Sequence, residues 1–219
     1  MSSGTYWHES RVGISLPWKS CGCRCRKAHR GRQDGVPVRI ALIGFMGSGK
    51  TTIGRLLAGS FACAFFDLDE EIAKSAGLSP AEIFRASGEA EFRRLESAAL
   101  RLSSEISDPM VLACGGGVVG AAENRRILRE KFVAVWIDVP FEEIYRRLSV
   151  CAGNRPLWSS AGADGQTGHD LNQKNEALYR ARLPLYRECA SLCYRWQPSE
   201  TPETSAAIIG RLLHSRTSS

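Results

Sequence analysis

The stretch GFMGSGKTT, residues 44–52, follows the apolar run VPVRIALI and precedes a helical pattern that begins with its own lysine. Its spacing, Gly44-x-x-x-x-Gly49-Lys50-Thr51, matches the phosphate-binding loop, in which backbone N–H groups and a helix N-terminus hold phosphate. Lys50 is expected to reach the β- and γ-phosphates of a nucleotide, and the Thr51 hydroxyl to bind Mg²⁺. The loop alone does not distinguish a kinase from a hydrolase, a switch or a motor.

The composition indicates an ordinary globular protein and argues against two kinds of partner. With 219 residues, of which 43% are hydrophobic and 24% charged, the chain suits one domain with a sizeable core. No apolar run approaches the roughly 20 residues that a membrane-spanning helix requires, so no membrane partner is expected. The net charge of +6 is concentrated in residues 1–36, which leaves about +1 for the rest. A nucleic-acid partner is therefore not expected either.

Residues 1–36 are predicted to form a basic, disordered N-terminal extension, and residues 37–219 a single domain. The extension could be an organellar transit peptide, an unstructured bacterial extension or the product of a start codon chosen too far upstream. We expect a cytoplasmic protein, with a plastid as the alternative. Cys21, Cys23 and Cys25 alternate instead of forming C-x₂₋₄-C pairs, so zinc is not favoured. The scattered cysteines of the body indicate a reducing compartment.

Beyond the extension, short apolar runs alternate with helical patterns. Strands are predicted at VPVRIALI, CAFFDLD, MVLACGGG, FVAVWIDVP and ASLCYRW, with helices between them. The polar, glycine-rich residues 151–170 are predicted to form a long mobile loop, and the helix after them to break at Pro184. Strands alternating with helices predict a parallel sheet covered on both faces.

Asp67 and Asp69 close the second predicted strand. Residues two apart on a strand face the same way, so both carboxylates are expected at the edge where ligands bind open α/β sheets. One could hold the water shell of a metal ion, while the other binds a substrate hydroxyl or accepts its proton. Acidic residues also favour a helix N-terminus, so the pattern by itself leaves both interpretations open.

Three further patterns carry candidate binding groups. Arg93 precedes Glu96 by three residues, which is typical either of a solvated helix contact or of an arginine held ready to bind a carboxylate. Glycines 115–117 follow the third strand and allow a ligand close to the backbone. Arg155, in the predicted loop, and Arg182 are candidates for contact with a transferring phosphoryl group.

The order of these motifs resembles the shikimate kinase family. That family shows GxxGxGK[ST]T, D-x-D, GE-x-x-FR-x-x-E, GGG, R-P-L and R-x-P-x-Y in this order, and the match runs from about residue 38 to the C terminus. The resemblance implies an α/β P-loop NTPase fold like that of nucleoside-monophosphate kinases, with a five-stranded parallel sheet of order 2-3-1-4-5 and a mobile lid. It implies transfer of the γ-phosphoryl of ATP to the 3-hydroxyl of shikimate, with Mg²⁺, by a monomer.

The resemblance also implies roles for individual residues. Asp69 would be the base, Arg93 and Arg182 would bind the shikimate carboxylate, and Arg147 would stack on adenine. The catalytic residues would be Lys50, Asp69 and Arg155, and the Mg²⁺ ligands Thr51 and, through water, Asp67. ATP would contact Gly47, Ser48, Gly49, Lys50, Thr51, Thr52, Arg147 and Arg155. Shikimate would contact Asp69, Arg93, Gly116 and Arg182.

Two features of the chain depart from the family pattern. Cys114 stands where the family often has Thr or Ser, and the stretch between Arg155 and Arg182 is longer than usual.

Two alternative functions are also compatible with parts of the sequence. One alternative is another small-molecule kinase on the same fold, such as a gluconate or nucleoside-monophosphate kinase, which would not require the two carboxylate-binding arginines. The other is a nucleotide-binding regulator without activity, against which the intact Lys50, Asp69 and Arg93 argue.

Overall fold

A computed structural model describes residues 39–150 and 168–217. The predicted extension, Arg155 and residues 151–167 of the predicted loop lie outside this part of the chain. Within the two described ranges, no helix combines the length and the apolar character needed to cross a membrane.

Five strands alternate with helices along the chain. The strands are β1 (Arg39–Ile43), β2 (Ala64–Asp67), β3 (Met110–Ala113), β4 (Val133–Asp138) and β5 (Leu192–Arg195). The helices are α1 (Lys50–Ser60), α2 (Leu68–Ala76), α3 (Pro80–Ser104), α4 (Ala122–Lys131), α5 (Phe141–Val150), α6 (Gly168–Cys189) and α7 (Pro202–Thr217), and a short 3₁₀ turn spans Val118–Gly120.

All five strands are parallel and form one sheet of order β2-β3-β1-β4-β5, which confirms the predicted fold. The central strands β1 and β3 are buried almost throughout because helices cover both faces. Near their carboxyl ends, Asp67, Ala113 and Leu42 lie side by side on three neighbouring strands. The loops that follow these strands therefore meet at one edge of the sheet, where ligands bind α/β proteins.

The Asp67–Asp69 segment differs from the prediction of a continuous strand. β2 ends at Asp67, and α2 begins at Leu68. The Asp67 carboxylate accepts a hydrogen bond from the Asp69 backbone N–H at 3.1 Å and so caps the helix. The prediction that both aspartates lie on one face of a strand was wrong, because a helix cap satisfies the same acidic pattern.

The helix after the predicted loop also differs from its prediction. α6 begins at Gly168, so the last three residues of the predicted loop are helical. It continues through Pro184 to Cys189, so the predicted break is wrong. Beyond the proline, Tyr186 and Cys189 are 0% and 1% exposed, and this burial offsets the hydrogen bond that the proline removes.

One long helix, α3, lies between β2 and β3 after the shorter α2. Ser79 and Glu82 form a reciprocal capping box at its start, and Pro80 occupies the first turn. The helix is kinked at Gly88, where a φ of 80° requires a residue without a Cβ. The kink lies just before the turn that carries Arg93.

Candidate active site

A cleft of about 1130 Å³ opens at the carboxyl edge of the sheet. The residues predicted to bind ATP, shikimate or Mg²⁺ line this one cleft wherever the structure describes them: Gly47, Ser48, Gly49, Lys50, Thr51, Thr52, Asp67, Asp69, Arg93, Gly116, Arg147 and Arg182. Arg155 lies outside the described residues. The structure thus brings together groups that are up to 135 positions apart in the sequence.

The phosphate-binding loop joins β1 to α1. Gly47 and Gly49 have φ values of 77° and 93°, in the left-handed region that glycine adopts without strain. Gly49 is the N-cap residue of α1; no side chain caps this helix and its first turn carries no acidic residue. The backbone N–H groups at the helix N-terminus are therefore available to an anion, as a phosphate site requires.

Lys50 lies folded back over the loop. Its Nζ donates hydrogen bonds to the carbonyls of Gly44 and Phe45 at 2.9 and 2.8 Å, and the side chain is largely buried. A buried ammonium needs such acceptors because its desolvation is costly. The same loop thus holds the lysine beside the site where phosphate would bind.

Thr51 and Asp67 meet at the base of the cleft. The Thr51 hydroxyl donates to Asp67 Oδ2 at 2.6 Å, which joins the first turn of α1 to the end of β2. Hard oxygen ligands of this kind suit Mg²⁺, which keeps several waters and takes its other ligands from substrate phosphates. These residues fit a magnesium site beside the phosphate-binding loop. Cys114, also in the cleft, is buried, and burial raises the pKa of its thiol, so it is neutral.

Asp69 and Glu96 approach each other across Gly115. A Cβ at Gly115 would lie 2.5 Å from Glu96 Oε1 and 2.8 Å from Asp69 Oδ1. Only glycine therefore fits between the two carboxyl groups. Glu96 is 1% exposed, and burial raises the pKa of its carboxyl against the opposing effect of Arg93.

Arg93 is held by two glutamates of its own helix. It donates to Glu96 Oε2 at 2.8 Å and to Glu89 Oε1 at 3.1 and 3.2 Å. Although burial acts to lower it, the pKa of Arg93 is raised by these two carboxylates. Of the two interpretations that the sequence left open, a partly buried and oriented arginine is the one observed, and its side chain is 28% exposed.

Arg182 reaches the same region from α6. Its guanidinium lies 5.7 Å from the centre of the Phe45 ring. Burial lowers the pKa of Arg182, and the positive charge of Arg93 lowers it further, whereas Tyr186 and Glu96 oppose this. The two guanidinium groups thus line the same cleft, where an anion would be stabilised by both positive charges.

Arg147 forms the opposite end of the cleft, beyond the phosphate-binding loop. It donates to Glu143 Oε1 at 2.6 Å and to the Gly47 carbonyl at 3.3 Å, and its guanidinium lies 4.7 Å from the centre of the Trp196 ring. Hydrogen bonds from Arg146 and Arg147 hold the pKa of Glu143 at about 2. The sequence reasoning missed Trp196, because no local pattern connects it to a residue 49 positions earlier.

The sheet order, the phosphate-binding loop and the adjoining carboxylates define a P-loop kinase. A family model described as "Shikimate kinase" matches residues 46–213. A shikimate kinase of Bordetella pertussis is 43% identical over 153 residues, covering 70% of this chain and 68% of that protein. One of Dictyoglomus turgidum is 37% identical over 178 residues, covering 79% and 96%. The chain belongs to the shikimate kinase family.

Solved structures agree with this assignment. A shikimate kinase from Acinetobacter baumannii, solved in complex with shikimate, superposes with a TM-score of 0.73 at 33% identity and covers 82% of this chain and 94% of that one. The enzyme from Aquifex aeolicus gives a TM-score of 0.65 at 33% identity, with coverage of 82% and 98%.

Proposed function

We propose that the cleft has two halves. The donor half, the loop Gly44–Thr52, would bind ATP, and the acceptor half, formed by Asp69, Arg93, Gly116 and Arg182, would bind shikimate. The chain is an ATP-dependent phosphotransferase that phosphorylates the 3-hydroxyl of shikimate, giving shikimate 3-phosphate and ADP in the chorismate route to aromatic amino acids. The assignment of individual residues to each half is supported by their common position in the lining of one cleft.

The observation that carries this assignment is the convergence of Arg93 and Arg182 from two different helices. Each guanidinium lies within electrostatic reach of the other, and Glu96 is buried beside them. Glu89 and Glu96 orient Arg93, and Arg182 adds a second cation to the lining of the cleft. The carboxylate of shikimate would bridge the two guanidinium groups by charge-assisted hydrogen bonds. Such a pair selects an anionic polyol over a neutral one.

The donor half would hold the triphosphate of ATP. Its backbone N–H groups at the start of α1 would bind phosphate oxygens. Lys50 would give up its hydrogen bonds to the carbonyls of Gly44 and Phe45 and bind the β- and γ-phosphates instead. Arg147 would stack on adenine, since it lies next to the Gly47 carbonyl at the far end of the cleft. Arg155, in the predicted lid, would neutralise the negative charge of the phosphoryl group during its transfer.

Thr51 would bind Mg²⁺ directly, and Asp67 would hold it through a water molecule. The contact between the Thr51 hydroxyl and the Asp67 carboxylate supports this proposal, because it brings two hard oxygen ligands together in the cleft. When bound, the ion would neutralise charge on the phosphate oxygens.

Asp69 would accept the proton of the 3-hydroxyl as the phosphoryl group is transferred. It lies on the first turn of α2, between the Thr51–Asp67 pair and the buried Glu96. Gly116 would contact the shikimate ring by its backbone. A Cβ there would lie 3.0 Å from the Met46 nitrogen and crowd the phosphate-binding loop.

The domain organisation, the oligomeric state and the cellular location are also proposals. We expect residues 37–219 to act as one domain, since the described strands form one sheet over one core. A monomer is proposed because the family resemblance implies one. A cytoplasmic location is supported by the bacterial relatives, with a plastid as the alternative if residues 1–36 are a transit peptide.

Replacing Gly117 by alanine is expected to raise the KM for shikimate about tenfold and to leave the KM for ATP within about twofold. A Cβ at this position would overlap the Arg93 guanidinium, which is the movable end of a side chain. The arginine would therefore shift while the fold is kept. Steady-state kinetics with each substrate varied would measure both constants.

Gly120 provides the matched control for this change. It ends the same turn, and a Cβ there would meet no atom within 4 Å. Gly120→Ala should leave both KM values unchanged. Equal increases of the two constants in Gly117→Ala would contradict the placement of Arg93 in the acceptor half.

The function as a whole is tested by coupled ADP release from the purified chain with ATP and Mg²⁺. Shikimate should support turnover, and gluconate, which is also an anionic polyol, should not. Turnover with gluconate alone would contradict the proposed acceptor.

A further inference from the structure

The Tyr186 side chain connects two residues of the acceptor half that belong to different elements. It is 0% exposed, and its hydroxyl donates a hydrogen bond to the Gly116 carbonyl at 2.5 Å. Arg182 lies one helical turn earlier on α6, the spacing at which side chains of a helix are neighbours. The buried Tyr186 hydroxyl therefore donates to the glycine loop after β3 and lies on the same face of α6 as the arginine.

The position of this hydroxyl is set by the sheet. The Tyr186 ring stacks on Trp136 of β4, with ring centres 6.0 Å apart and planes 25° from parallel. Burial raises the pKa of the Tyr186 hydroxyl above its ordinary value, with Arg182 opposing, so the group remains a hydrogen-bond donor. Gly116 in turn packs against the backbone of the phosphate-binding loop near Met46.

We propose that Tyr186 is a positioning residue, whose hydroxyl fixes Gly116 and Arg182 relative to each other and thereby sets the affinity for shikimate. This role rests on the proposed function of those two residues. Without the hydroxyl, the Gly116 carbonyl would lose a buried donor, and Arg182 would lose a polar neighbour one turn along its helix. Both groups would then adjust toward the cleft, where the acceptor binds. Among the described residues, no hydrogen bond joins this hydroxyl to the donor half.

The test replaces Tyr186 by phenylalanine, which keeps the ring and its stacking on Trp136. The KM for shikimate should rise about tenfold, while the KM for ATP stays within about twofold. Tyr179→Phe is the matched control. Tyr179 lies on the same helix and also donates to a backbone carbonyl, that of Val139 at 3.1 Å, which belongs to neither half; phenylalanine keeps its ring against Phe45. It should change neither constant.

Trp136→Phe separates positioning from general loosening of the core. It removes part of the stacking surface and keeps the Tyr186 hydroxyl, so it should lower the thermal midpoint without selectively raising the KM for shikimate. A Tyr186→Phe protein that fails to fold, raises both KM values equally or changes neither would contradict the proposal. So would a Trp136→Phe protein with the same selective effect.

Arg182→Lys distinguishes an incorrect positioning role for Tyr186 from an incorrect assignment of the acceptor half. Lysine keeps the charge but cannot form the paired contacts of a guanidinium. If Arg182→Lys raises the KM for shikimate and Tyr186→Phe does not, only the positioning role is wrong. If neither does, the acceptor half itself is misplaced.

Discussion

Replacing Asp69 by asparagine is expected to lower kcat by about 10²–10⁴-fold and to leave the affinity for ATP nearly unchanged. The amide has the shape of the carboxylate but cannot accept the proton of the 3-hydroxyl. ATP would be held mainly by the loop between β1 and α1, while Asp69 lies on α2 beside Gly115 and Glu96. Steady-state ADP release would give kcat, and titration with ADP would give nucleotide affinity.

Asp108→Asn is the control for this substitution. Asp108 is exposed in the turn before β3, so its loss of charge should leave kcat unchanged. If Asp69→Asn retained a near-wild-type kcat, Asp69 would not be the base. A parallel loss of ADP binding would place Asp69 in the donor half instead.

Replacing Arg93 by alanine should raise the KM for shikimate about 100-fold, with the KM for ATP within about twofold. The change removes one of the two guanidinium groups proposed to bind the carboxylate. It also removes the cation that opposes the raised pKa of Glu96, so this buried carboxyl would take up a proton more readily. Kinetics with each substrate varied in turn would separate the two KM values.

Two further variants make this result interpretable. Arg94→Ala removes the next arginine, which is exposed and pairs with Glu91 at 2.6 Å, and should change neither constant. Arg93→Lys keeps a cation beside Glu96 and protects the fold if the alanine variant is unstable. It should still raise the KM for shikimate, since lysine lacks the planar fork. Equal effects on shikimate and ATP would mean that Arg93 is only structural.

The elements that could be predicted from the sequence are those determined by neighbouring residues. The phosphate-binding loop with its flanking strand and helix, and the capping box at Ser79, depend on residues a few positions apart. The predicted strands are confirmed for the same reason, although some of their ends shift. The sheet order followed from the family resemblance, because hydrophobic periodicity does not determine which strands are neighbours.

The incorrect predictions involve competition between local and tertiary effects. The strand was expected to continue through Asp69, but β2 ends at Asp67, whose side chain caps α2. Pro184 was expected to break a helix, but the buried Tyr186 beyond it keeps the helix on the core. The acidic pattern is compatible with a strand or a helix cap, whereas the packing beyond Pro184 is not visible in the local pattern.

The site was predictable as a set of residues but not as an arrangement. The motif order identified Asp69, Arg93 and Arg182 as acceptor contacts, and these residues line one cleft. The convergence of Arg93 with Arg182 depends on how α3 and α6 pack, which spacing along the chain does not encode. The same holds for the Tyr186 hydroxyl, whose partner Gly116 is 70 positions away.

The central claim, that Arg93 and Arg182 recognise the carboxylate of the acceptor, is tested most directly by comparing shikimate with its neutral methyl ester in the wild type and in Arg93→Lys. The measured quantity is the ratio of kcat/KM for the two acceptors. The wild type should prefer shikimate by about 100-fold, and Arg93→Lys should lose about tenfold of that preference because a fork contact to the carboxylate is gone. An unchanged ratio in the variant, or a wild type that uses both acceptors equally well, would contradict the account.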